Sequence, residues 1–245
     1  MATDFSYKDD LAKLLRFQST ASEDGKLTGL DDYIDRMAAD QKEILFLYGK
    51  NRKSIESGPY LEALQARGYE VLLLTEPVDE YVMQSLREFK EKKIISADSD
   101  ELKLEKLDEE PAGESLDKKA VKKLSKWIKE SLKERVSDVE TGERLINSPV
   151  CVVGDDGMGG ASARRIMKMM QGPEDAMPAS KVKFQINPRH SIIKGLHSLM
   201  EKDEPTALLV VNQLLDNALA SANLLDDPRE MISRSYQALE KLTSS

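Results

Sequence analysis

The chain has 245 residues and a mass of 27.5 kDa, room for one large domain or two small ones, each with its own core. A formal charge of −8 argues against nucleic acid as a partner, because phosphate contacts need a basic face. No apolar run approaches the ~20 residues that span a bilayer, so no membrane partner is expected.

No charged-then-apolar leader opens the chain. The single cysteine, Cys151, excludes an internal disulfide framework and fits a reducing compartment; with only two histidines beside it, little material remains for a metal site.

In chain order, "KDDLAKLLRF" places Leu11, Leu14 and Leu15 at helical spacing. "LTGLDDYIDRMAAD" reads as a helix with Thr28 as N-cap and Asp31 three residues on. "EILFLY" (43–48), "YEVLLLT" (69–75) and "IISAD" are apolar runs of strand length. Between the first two, "GPYLEALQARG" predicts a helix with Pro59 at its first position and Gly68 as its stop. "VDEYVMQSLREF" (78–89) supplies another amphipathic helix before the third strand. Strand, helix, strand, helix, strand implies a small parallel α/β layer.

The acid-rich stretch 98–115, with Pro111 and Gly113, reads as a solvated linker or irregular edge. "SLDKKAVKKLSKWIKESLKERV" then forms a helix with lysines on one face and Leu116, Ala120, Leu124, Ile128 and Leu132 on the other. The lysine face reads as solvated rather than as a membrane or acid-binding surface. Strands follow at "VSDVETGERL", "PVCVV" and "KVKFQI", and three helices close the chain.

"VCVVGDDGMGGASARRIMKMM" (150–170) has the outline of a phosphate loop and fails its chemistry. A Walker loop needs lysine and a hydroxyl directly after its last glycine, yet Ala161 and Ser162 follow Gly160, and Asp155 and Asp156 repel phosphate. The dinucleotide spacing also fails. The glycines are better read as a mobile connection. A nucleotide-binding module or enzyme using Gly154–Gly160 stands as the alternative function.

Met158, Ile166, Met167, Met169 and Met170 crowd this segment, while Arg164, Arg165 and Lys168 read as keeping it wet. Methionine adapts to irregular partners, although Ile166, Met169 and Met170 at i, i+3, i+4 equally fit an ordinary core face. His190 and His197 read as capping or packing residues, and Cys151 as a small buried hydrophobe.

Within 205–225, Leu208, Leu209, Val211, Leu214, Leu215, Ala218, Leu219 and Ala222 form a stripe wider than one helix face needs. "DDPREMISRSYQALEKL" adds Met231, Ile232, Leu239 and Leu242, with Asp227 as cap and Pro228 in the first turn. Either a partner subunit or the rest of the domain covers these helices; the pattern does not choose.

"LLRFQSTASEDGKLTGLDDYIDRM", "PYLEALQARGYEVLLLTEPVDEYVMQSLREF", "INPRHSIIKGL", "RLINSPVCVV", "RIMK" and "LLDNALASANLLDDPREM" resemble the 90-kDa heat-shock protein chaperones, in particular the bacterial, HtpG-type form. The likeness runs from about Leu11 to Leu242. It implies an α/β plus α+β fold: residues 1–110 as the end of the family's middle domain, a small three-layer α/β unit, and 111–245 as the C-terminal dimerisation domain.

The resemblance further implies a fragment of a stress-response chaperone that lacks the family's ATP- and magnesium-binding domain, holds no cofactor and hydrolyses nothing itself. It implies a cytoplasmic (bacterial) or organelle-matrix location, from the ending "EKLTSS" where eukaryotic cytosolic members carry an acidic pentapeptide. Homodimerisation through the last two helices is implied for Leu208, Leu209, Val211, Leu214, Leu215, Ala218, Met231, Ile232 and Leu239. Contact with non-native client proteins is implied for Tyr81, Met158, Ile166, Met167, Met169 and Met170.

Overall fold

The computed structural model describes residues 8–105, 107, 113–154, 165–166, 181–225 and 227–243. Its first sheet has five strands: β1 (Gln18–Ser19), β2 (Ile44–Tyr48), β3 (Leu72–Leu74), β4 (Glu88–Phe89) and β5 (Lys92–Ser96), in the order β1-β3-β2-β5-β4. The central β3, β2 and β5 run parallel, and the two-residue strands pair antiparallel at the edges.

Both faces of this sheet are buried, which is why its strands are continuous apolar runs rather than alternating ones. Leu45, Leu47, Leu73 and Ile95 join a core with Ile55 of α3 (Arg52–Glu56) and Leu64 of α4 (Glu62–Ala66). Ile44, Phe46, Leu72, Leu74 and Ile94 join a second core. That core includes Ala12 of α1 (Lys8–Ala12), Leu30 and Tyr33 of α2 (Leu30–Arg36), and Met83 and Leu86 of α5 (Pro77–Leu86).

Two predicted helix starts shift. The N-cap of α2 is Gly29, not Thr28: the Gly29 amide donates to Asp32, while the Thr28 hydroxyl accepts from Arg36 at 2.8 Å. Pro59 lies outside α4, whose cap is Leu61; Gly68 ends that stretch at φ +69°, a left-handed conformation glycine adopts at little cost.

The second sheet has β6 (Val136–Thr141), β7 (Val150–Val153) and β8 (Val182–Ile186) in the order β6-β8-β7, with β8 parallel to β6 and antiparallel to β7. Around it stand α6 (Lys118–Ser131), α7 (Ser191–Lys202), α8 (Glu204–Ser221) and α9 (Arg229–Thr243). Asp117 caps α6 by accepting from the Lys119 and Ala120 amides, both at 2.8 Å. The apolar face of α6 buries Leu124 and Ile128, and its lysines are exposed. His190 caps α7 through Nδ1, which accepts from the Ile192 amide.

The start of the acid-rich stretch is not a solvated linker. Asp98 and Leu102 are buried, and one apolar core runs from Leu45 of β2 through Leu102 to Phe184 of β8 and Leu215 of α8. The Gly154 amide donates to the Asp98 carbonyl and the Asp100 amide to the Gly154 carbonyl, so β7 is stitched to the chain leaving β5.

Two charged side chains reinforce the seam reciprocally. Buried Arg144 donates to the carbonyls of Ala97, Ser99 and Leu102. Glu62 of α4 accepts from the amides of Ile146, Asn147 and Ser148 and from the Ser148 hydroxyl. The buried Tyr60 hydroxyl also reaches the Val152 carbonyl at 2.7 Å.

Candidate functional site

The terminal helices divide the predicted dimer residues into two sets. Val211, Leu214, Leu215 and Ala218 are buried within the chain's own core, together with Ala207 and Ala222. Spaced i, i+3, i+4, i+7, they form the inner face of α8 against the second sheet, so a partner does not cover them. Leu208 lies on the other side and is exposed, and Leu209 is half-buried.

On α9 nothing is buried. Met231 is half-buried, while Ile232 (44% exposed), Tyr236 (63%), Leu239 (54%) and Leu242 (76%) form a stripe along the helix. A groove of about 450 Å³ runs between the two helices, lined by Leu208, Leu209, Asn212, Glu230, Ser233, Arg234 and Gln237.

Polar ties rather than apolar burial hold α9 in place. Asp216, fully buried on the inner side of α8, takes an ion pair from Arg234 of α9, with Nη2 at 2.6 Å and Nε at 2.7 Å, and a second from Arg135. Lys241 of α9 also donates to the Thr206 hydroxyl of α8 at 2.6 Å.

Tyr81 sits half-buried on α5, on which Val78 is exposed. Its neighbour Glu80 points inward and is met by Arg165. Contrary to the reading of Arg165 as a solvated residue, its side chain is only 7% exposed. Nε lies 3.1 Å from both Glu80 carboxylate oxygens, and Nη2 lies 2.6 Å from Glu80 Oε1 and 2.9 Å from Asp98 Oδ2. Nη1 donates to the Ala222 carbonyl at 3.0 Å, and the guanidinium stands 5.7 Å from the centre of the Tyr48 ring.

Burial works to raise the Asp98 pKa and to lower that of Arg165; each group's charged neighbours outweigh that, so Asp98 ends below and Arg165 above its usual value. Ile166, expected as a client contact, is buried at 8% exposure beside this cluster. Met158, Met167, Met169 and Met170 lie outside the described residues.

Burial pushes the Cys151 thiol up to about 12, so it is neither nucleophile nor ligand near neutral pH. No group of three or more His, Cys, Asp or Glu among the described residues could hold a metal ion. Of the glycine segment only Gly154 is described, and its amide and carbonyl are both engaged by the 98–100 backbone rather than open to a phosphate. Among the described residues no helix is long and apolar enough to cross a membrane.

Arg144, Glu62, Glu80, Asp98 and Asp216 were not singled out in the sequence. For two of them a signal exists. Glu80 interrupts the apolar spacing with Met83 and Leu86, and Asp216 stands inside the apolar run 207–222.

The family model for Hsp90 protein matches residues 1–245. The chain is 36% identical over 249 residues to the chaperone protein HtpG of Desulfotalea psychrophila, covering 100% of this chain and 40% of the relative. It is 39% identical over 242 residues to the mitochondrial heat shock protein 75 kDa of Rattus norvegicus (96% and 34%). With an endoplasmin homolog of Catharanthus roseus it shares 38% identity over 250 residues (97% and 29%).

The chain belongs to the Hsp90 family of chaperones. It spans about two-fifths or less of the length of these relatives.

Proposed function

We propose that this chain is the dimerising and client-contacting part of an ATP-dependent chaperone, and that it performs no chemistry itself. Residues 1–110 are read as the end of the middle domain and 111–245 as the C-terminal dimerisation domain. Two copies associate through α9 and the outer edge of α8, with Leu208, Leu209, Met231, Ile232 and Leu239 at the contact. Non-native proteins are held near Tyr81 and the methionines at 158, 167, 169 and 170. ATP and magnesium are assigned to the part of the relatives' length outside the two-fifths that this chain matches. The setting is the bacterial cytoplasm or an organelle matrix, in line with the mitochondrial name of the rat relative.

The observation that carries this reading is a well-formed 15-residue helix, α9, with four large apolar side chains in one exposed stripe and no buried residue. A helix of this kind gains stability when its apolar face meets a partner, and an exposed patch of this kind marks an interaction surface. Burying a side chain such as Leu239 contributes ~1.5–3 kcal/mol, so a few per subunit offset the cost of association.

The test is the double substitution Ile232→Ser with Leu239→Ser, followed by sedimentation velocity over a wide concentration range. The expected result is a dimer for the parent chain and a monomer with an unchanged melting temperature for the variant. A variant that sediments like the parent refutes the reading.

A further inference from the structure

The two sheets share one apolar core, yet the closely packed pairs of described elements each lie within one half of the chain. In the first half β2 packs with β3 and β5, and α5 with the same two strands. In the second, β8 packs with β6 and β7, α6 with β6, and α8 with β7, α7 and α9. Apolar burial between the halves is non-directional, so it holds the sheets together without setting the angle between them. Groups with directional bonds must do that.

Segment 146–148 is held from both sides. Asn187, directly after β8, donates through Nδ2 to the Ile146 and Ser148 carbonyls at 3.1 and 3.2 Å. The three amides of the segment point the other way, to Glu62 Oε2 of α4, at 2.7, 2.7 and 3.1 Å. Hydrogen bonds to a carboxylate are roughly twice as strong as neutral ones. Arg144 runs in the opposite direction. Its Nη1 reaches the Ala97 carbonyl, and its Nη2 those of Ser99 and Leu102 at 3.1 and 3.3 Å. Each half thus places one charged side chain in the backbone of the other, and two opposed ties resist rotation that a single tie permits.

We propose that Glu62 and Arg144 lock the angle between the two halves, making the seam a joint held in one setting by two side chains. They are positioning residues and touch no ligand. The joint fixes where α5, with Tyr81, stands relative to α9. It does not depend on whether α9 meets a second copy or Tyr81 meets a client.

Double electron–electron resonance on the full chain tests the proposal, with spin labels at Lys53→Cys on α3 and Lys126→Cys on α6, both exposed positions. Cys151 is buried and stays in place. An excess of unlabelled chain leaves one labelled copy in any assembly, so the distance read is within a chain. Glu62→Gln keeps the side-chain shape and removes the charge, and the double variant Glu62→Gln with Arg144→Met removes both ties. Leu215→Ala serves as a control that weakens the core of the second half away from the joint.

The parent should give one narrow distance distribution, and Leu215→Ala should leave it narrow. Glu62→Gln should broaden it, and the double variant should broaden it at least about twofold. Far-UV circular dichroism should stay like the parent's in both. A parent-like distribution in either variant overturns the proposal. Equal broadening in Leu215→Ala also overturns it, because the ties would then serve stability alone. Should the double variant fail to fold, Glu62→Gln decides by itself.

Discussion

Asp216→Leu separates folding of the chain from docking of its last helix. The Asp216 carboxylate is buried, whereas its partners Arg135 and Arg234 are a third and a quarter exposed. Removing the carboxylate lets both guanidinium groups turn to water, so no buried charge is stranded. Leucine then extends the inner apolar face formed by Val211, Leu214, Leu215 and Ala218. Replacing a buried charge with an apolar side chain of similar size is often neutral for the fold.

α9 loses more, because Arg234 is its main tie to α8 and no apolar side chain of α9 is buried to replace it. A hydrogen bond to a charged group contributes about 1.5–3 kcal/mol, less where the partner is exposed, so about 1.5 kcal/mol is lost from the docking of each α9. If dimers form only through a docked α9, the dimer dissociation constant rises about tenfold or more. Thermal melting followed by the single Trp127 should stay near the parent value while sedimentation equilibrium shows the weaker dimer. An unchanged dissociation constant refutes the reasoning, as does a collapse of the melting temperature with no separate effect on mass.

Further outcomes follow from the same geometry. Leu215→Ala should destabilise the chain by ~2–5 kcal/mol in denaturant unfolding while leaving dimer affinity in the folded range untouched, because Leu215 faces the chain's own core. Arg144→Ala, which strands three carbonyls at the seam, should lower stability by at least ~1–3 kcal/mol in the same assay. Cys151 should resist maleimide at pH 7.5 in the native chain and react at once in denaturant, since burial removes access and holds its pKa at about 12. Acid unfolding carries a sign set by Asp98. Its folded pKa is depressed, so its contribution to stability is present above the unfolded value of about 3.9 and disappears as pH falls below it. Melting curves between about pH 5 and 2 should fall more steeply for the parent than for Asp98→Asn.

The parallel layer is legible because strands buried on both faces leave unbroken runs such as "ILFLY" and "LLL". The edge strands Gln18–Ser19 and Glu88–Phe89 are too short to leave a period. Side chains that join the two halves are illegible for another reason. Glu62 and Arg144 look like ordinary surface charges, and their partners are backbone groups more than forty positions away along the chain.

The apolar stripe of α8 marks the helix as special without separating Val211 from Leu208. That division depends on which face meets the second sheet, a tertiary fact. For Arg165 the neighbouring basic residues mislead: three cations in five positions read as a wet face, and one of them is the most completely paired charge described.

The central claim is that α9 meets a second copy of this chain. Multi-angle light scattering on the purified chain, run from about 1 to 100 μM, tests it most directly. The account predicts a mass near twice 27.5 kDa, about 55 kDa, falling toward the single-chain value only on dilution. A mass of 27.5 kDa at every concentration contradicts it.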